Sequence, residues 1–82
     1  MNPRISKVYP LDNYHLHLQF INGEEKIFDV SPYLTAGVFK ELADKTLFNT
    51  VTESLGSVAW QNGQDLCPDT LYLESVPASL HS

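Results

Sequence analysis

The chain has 82 residues, enough for one domain, and a domain of that size buries only roughly 60% of the surface its unfolded chain exposes. Most of its large apolar residues are therefore needed for the core, with little left for an enclosed substrate pocket. At 43% hydrophobic it is too apolar for disorder, and its net charge of -5, with only Arg4, Lys7, Lys26, Lys40 and Lys45 dispersed along it, argues against direct binding of nucleic acid.

Arg4 to Leu11 (RISKVYPL) is a β-type run, and Pro10 with Asp12-Asn13 marks a turn after it. Tyr14, Leu16, Leu18 and Phe20 then alternate with His15, His17 and Gln19, the period of a half-buried strand. The return strand follows a loop whose length sets the register. A two-residue Asn22-Gly23 loop places Phe28 opposite His17. A three-residue loop, Ile21-Asn22-Gly23, places Phe28 opposite Leu16 and Val30 opposite Tyr14, and gives Gly23 the left-handed position. The apolar face selects the three-residue loop.

Ser31 and Pro32 read as a cap and first helical residue, and Val38, Phe39 and Leu42 as the inner side of a short helix over AGVFKELAD. KTLFNT reads as one further turn, and TVTES and SVAW as a second hairpin around Leu55-Gly56. Asn62-Gly63 is a turn signal, and Pro68 opens a last short helix with Cys67 at its cap. No internal repeat, low-complexity tract or linker is evident. The expected fold is α+β over residues 1–82, a small antiparallel sheet of hairpins with one or two short helices packed on it.

The run PRISKVYPLDNYHLHLQFINGEEKIFDVSPYL, followed by GVFKELAD, LFNTV and VAWQNGQDLCPDTLYLESV, resembles the bacterial domain of unknown function family 2442 over nearly the whole chain. The resemblance implies a small α+β domain and no established activity. It also implies a toxin–antitoxin-like or other paired operon for some members. Relatives fused to a helix-turn-helix imply a DNA-binding role that does not transfer, because the expected chain ends soon after the motif. Gln61 stands where members often have Pro, so the loop is expected to be less rigid.

Trp60, Asn62, Gly63, Asp65, Leu66, Cys67, Pro68, Asp69, Leu71 and Tyr72 crowd the C-terminal part, and we read them as a structural motif that closes the fold. Cys67 as a nucleophile needs a base such as His15, His17 or His81, and no local sequence supports that pairing. A single cysteine forms no internal disulfide. Asp65 and Asp69 as an acid/base pair compete with an ordinary reading: Asp69 favours the helix dipole, while Asp65, like Asp29, bonds turn amides. His15 and His17 share one strand face but supply only two of the three or four ligands a metal site needs. Tyr14 and Tyr72 are expected in the core. Lys7, Tyr9, His15, His17 and Tyr33 are the expected interaction surface, with RISKVYP as an edge strand. No catalytic, cofactor-binding or metal-binding residue is assigned. The expected object is a cytoplasmic interaction or regulatory module with a protein partner and no membrane segment. A homodimer, a small-ligand or metal-binding domain, and an enzyme using Cys67 or Asp65/Asp69 are the rival readings.

Overall fold

A computed structural model describes residues 2–35 and 37–80, with the side chains of Val38 and Leu80 outside the description. The fold is α+β, and the expected single sheet is divided in two. Strands β1 (Ile5–Leu11), β2 (His15–Phe20) and β3 (Glu25–Asp29) form a meander, followed by α1 (Lys45–Phe48). A second meander, β4 (Thr52–Ser54), β5 (Ser57–Ala59) and β6 (Asp65–Leu66), precedes α2 (Pro68–Glu74) and β7 (Val76–Pro77). The sheet orders are β1-β2-β3-β7 and β4-β5-β6, antiparallel throughout. No helix among the described residues is long and apolar enough to cross a membrane.

The first hairpin pair follows its alternation. Leu16, Leu18 and Phe20 are buried, while His15, His17 and Gln19 are half-buried on the other face. Phe28 lies opposite Leu16, and the Val30 amide donates to the Tyr14 carbonyl. The loop is the three-residue one, with Gly23 at φ 91°. Tyr14 is an exception to the strand pattern: at φ 60° it belongs to the 3-10 turn Asp12–Tyr14. Its ring still reaches the core, edge-on to Phe48 at 5.3 Å, and its hydroxyl donates to the Ala43 carbonyl.

The short helix expected over AGVFKELAD is present at Gly37–Ala43 in 3-10 form. The Asp44 carboxylate takes the Thr46 amide at 3.0 Å and starts α1 immediately afterwards. Ser31–Tyr33 is likewise a single 3-10 turn, and Ser31 does not cap it with its side chain. Asp29 takes that part, accepting from both the amide and the hydroxyl of Ser31.

Leu55 (φ 53°) and Gly56 (φ 84°) make the two-residue turn between β4 and β5, with the two positive φ angles that such a hairpin requires. The Ile5 amide donates to the Gly56 carbonyl, and Arg4 Nη1 to the Leu55 carbonyl, so this turn is the seam between the two sheets. One five-residue turn occurs twice. In FINGE the Phe20 amide bonds Glu24 O, Gly23 bonds Phe20 O, and the Glu24 amide bonds Asn22 Oδ1. In WQNGQ the Trp60 amide bonds Gln64 O, Gly63 bonds Trp60 O, and the Gln64 amide bonds Asn62 Oδ1. The shared core lies between the sheets and helices, with Leu16, Leu18, Phe28, Val30, Leu42, Phe48, Val58 and Leu71 fully buried.

Candidate functional site

Within the C-terminal motif Trp60, Leu66 and Leu71 are buried, Asn62, Pro68 and Tyr72 are half-buried, and Gly63, Asp65, Cys67 and Asp69 are exposed. Trp60 is 4% exposed, and its indole N–H donates to the Phe48 carbonyl at 2.9 Å. Leu66 and Leu71 are buried beside it, and the Ser57 hydroxyl donates to the Leu66 carbonyl. Pro68 opens α2, and Asp69 sits in its first turn, accepting from the Asn2 amide group at 3.3 Å. Tyr72 packs edge-on to Phe20 at 5.1 Å under the Lys26 ammonium, which donates to its carbonyl at 2.6 Å. The Tyr72 hydroxyl donates to Glu24 Oε1 at 2.7 Å. That bond raises the Tyr72 pKa and, with the Asn22 amide group, lowers that of Glu24. The first copy of the turn is thus tied to α2. In the turn before Asp65 the Asn62 side chain holds the Gln64 amide, and Asp65 begins β6.

Cys67 is exposed at the α2 cap position, where its side chain makes no capping bond. It borders a groove of about 430 Å³ with Arg4, Ser57, Asp65 and Pro68. Neither His15 nor His17 lines this groove, and His81 lies outside the described residues.

The remaining sequence candidates gather on the other sheet. The hydrogen bonds from Phe20 to Glu24 and from Val30 to Tyr14 direct the even-numbered amides of β2 toward β3, so its odd-numbered amides face β1. The same pairing sets Lys7, Tyr9 and Leu11 beside Gln19, His17 and His15, on the face opposite Leu16 and Leu18. Tyr9 and His17 are in ring contact at 6.1 Å. Each histidine meets a carboxylate across β3: His17 Nε2 to Glu25 Oε1 at 2.8 Å, and His15 Nε2 to Asp29 Oδ2 at 3.9 Å. These pairs were missed from sequence, although the loop length that sets the register already implies them. Among the described residues no group of three His, Cys, Asp or Glu is placed to hold a metal. Tyr9, Leu11 and Val76 are the exposed large residues of this face, at 44%, 37% and 47%.

The β1 edge offers less than the sequence suggests. Lys7, Tyr9 and Leu11 direct their amides to β2, Pro10 has none, and the Ile5 amide is taken by Gly56. Within Lys7–Leu11 this leaves the Val8 amide facing outward. Proline on an edge is a known guard against uncontrolled pairing, and Pro77 stands likewise in β7.

Tyr33 is separate from the other four surface candidates. Its ring packs against Phe28 and Phe39, each at 5.7 Å, and its hydroxyl donates to Glu74 Oε1 at 2.6 Å. That bond pushes the phenol pKa up to about 12. Phe28, Asp29, Pro32, Tyr33 and Glu74 enclose an open hollow of about 260 Å³. Asp29 joins the hollow to the sheet face through His15. Burial pushes the Asp29 carboxyl up, but the two bonds from Ser31, with His15 nearby, outweigh it and hold the pKa below the ordinary value.

No curated protein and no solved structure matches the chain. A family model described as "Protein of unknown function (DUF2442)" matches residues 5–77, from the first residue of β1 to the last of β7. The match covers both meanders and the twice-used turn, and on it the chain belongs to the DUF2442 family of proteins of unknown function.

Proposed function

We propose that this domain is a non-enzymatic protein-interaction module that presents the outer face of its four-stranded sheet to a partner protein. The observation that carries this reading is the gathering of Lys7, Tyr9, His15 and His17 on one face, flanked by exposed Leu11 and Val76. The core residues of α1 and α2 pack on the opposite side of that sheet. Tyr9 and Leu11 stand on β1 and Val76 on β7 at the other edge, and aromatic side chains exposed among charged ones are enriched at protein interfaces. The guarded β1 edge favours contact through the face over addition of a strand. A partner encoded beside this chain is consistent with the paired operons that the family resemblance implies. Capture from native extract with wild type and with Tyr9→Glu, both checked for folding by circular dichroism, tests the proposal. A protein retained by wild type and lost with Tyr9→Glu is the expected result. Equal capture by both, or none by wild type, contradicts it.

A further inference from the structure

The hollow beyond the end of β3 has a chemistry of its own. Phe28 and Pro32 give it apolar walls, Tyr33 adds an aromatic ring, and Asp29 and Glu74 set two carboxylates at its rim. Both carboxylates are anchored, Asp29 by Ser31 and Glu74 by the Tyr33 hydroxyl, so their positions are preset and little ordering is required on binding. One Glu74 oxygen accepts from Tyr33, and a carboxylate carries acceptor capacity on its second oxygen as well. We infer that this hollow receives an arginine side chain from the partner protein, its flat guanidinium lying along the Tyr33 ring with its N–H groups directed to Asp29 and Glu74.

Three observations select a cation. The rim carries two acids, the chain as a whole carries -5, and the wall is an aromatic ring, whose face attracts positive charge. Arginine is favoured over lysine because a planar fork of donors suits two carboxylates beside a ring, whereas an ammonium is a compact, strongly hydrated charge. The volume of about 260 Å³ is on the scale of one large side chain and far below that of a folded segment. The inference rests on the reading of the domain as an interaction module and names the partner's chemistry at a place next to the sheet face.

The test is an NMR titration of the whole chain with the peptide acetyl-Gly-Arg-Gly-amide. Parallel titrations use the lysine peptide and the citrulline peptide, a neutral isostere of arginine. Saturable shifts at the amides of Asp29, Tyr33 and Glu74 are expected with arginine, weaker with lysine and absent with citrulline. They should weaken at high salt, because the attraction is between partly exposed charges. Glu74→Gln and Asp29→Asn each keep an acceptor for Tyr33 or Ser31, so both should stay folded, and each should weaken the arginine response severalfold. Equal shifts with citrulline, or no saturable shift with arginine, overturn the inference. So do concentration-dependent shifts of the same three signals without peptide, which assign the hollow to a second copy of the chain. The sheet-face reading is judged separately, by loss of capture with Tyr9→Glu.

Discussion

At the scale of the residue, two side chains carry testable electrostatics. Tyr33 donates to Glu74, and the neutral phenol is favoured in the folded state, so its pKa rises from 10.0 to about 12. A group with a raised folded pKa contributes stability that is full below its unfolded pKa and is lost as pH rises through the folded one. That contribution is therefore expected to disappear between about pH 10 and 12. Phenolate absorbance should show Tyr33 ionising near 12, and Glu74→Gln should bring it back toward 10. An unchanged titration in Glu74→Gln would refute the assignment. Asp29 has the opposite sign. Its folded pKa lies below the ordinary 3.8, so the folded state holds fewer protons, and the stability it contributes is present above 3.8 and lost as pH falls through the lower folded value. Asp29→Asn should lower stability in the neutral range, leave the acid end nearly unchanged and so flatten the acid limb of the stability curve, as read by denaturation across pH. Leu71 tests packing alone: it is fully buried, and Leu71→Ala should cost about 2–5 kcal/mol in chemical denaturation. Cys67 makes no capping bond, and Cys67→Ser should keep the fold, since serine is the better cap.

At the scale of the element, the twice-used turn is the most economical feature of the chain. Gly23 and Gly63 stand at φ 91° and 90°, and a Cβ at either would meet open space, so only backbone strain opposes a side chain there. Alanine at each should cost about 1–2 kcal/mol, and the two costs should agree closely. A costless substitution at either position would show that the two turns are not equivalent. Strands with clear alternation were legible from sequence: the His15–Phe20 pattern set the buried face, the face set the loop, and the loop set the register. The two-residue strands β6 and β7 were not, because two residues carry no periodicity and exist only through their neighbours β5 and β3. The repeat FINGE and WQNGQ was visible in the letters, but its equivalence lies in the bonds of Asn and Gly, not in the residues between them. The His–carboxylate pairs could have been read once the register was in hand. The hollow at Tyr33 could not, because Glu74 arrives from a helix 41 residues away.

At the scale of the whole molecule, two meanders share one core and leave one sheet face outside it. The apolar part of the motif that looks most like an active site in the sequence lies in this core, with Trp60, Leu66 and Leu71 buried and Tyr72 joining α2 to the first hairpin. Four of the five surface candidates, Lys7, Tyr9, His15 and His17, instead lie on the outer face, on a sheet whose β1 edge is guarded by Pro10. This division, interior for the motif and outer face for contact, is the central claim. The most direct measurement is NMR shift mapping of the labelled chain with the partner recovered by native capture. The expected shifts cluster at Lys7, Tyr9, Leu11, His15 and His17, with the signals around Cys67 and Pro68 unmoved. Shifts centred on the Cys67 groove, with the sheet face silent, would contradict the claim.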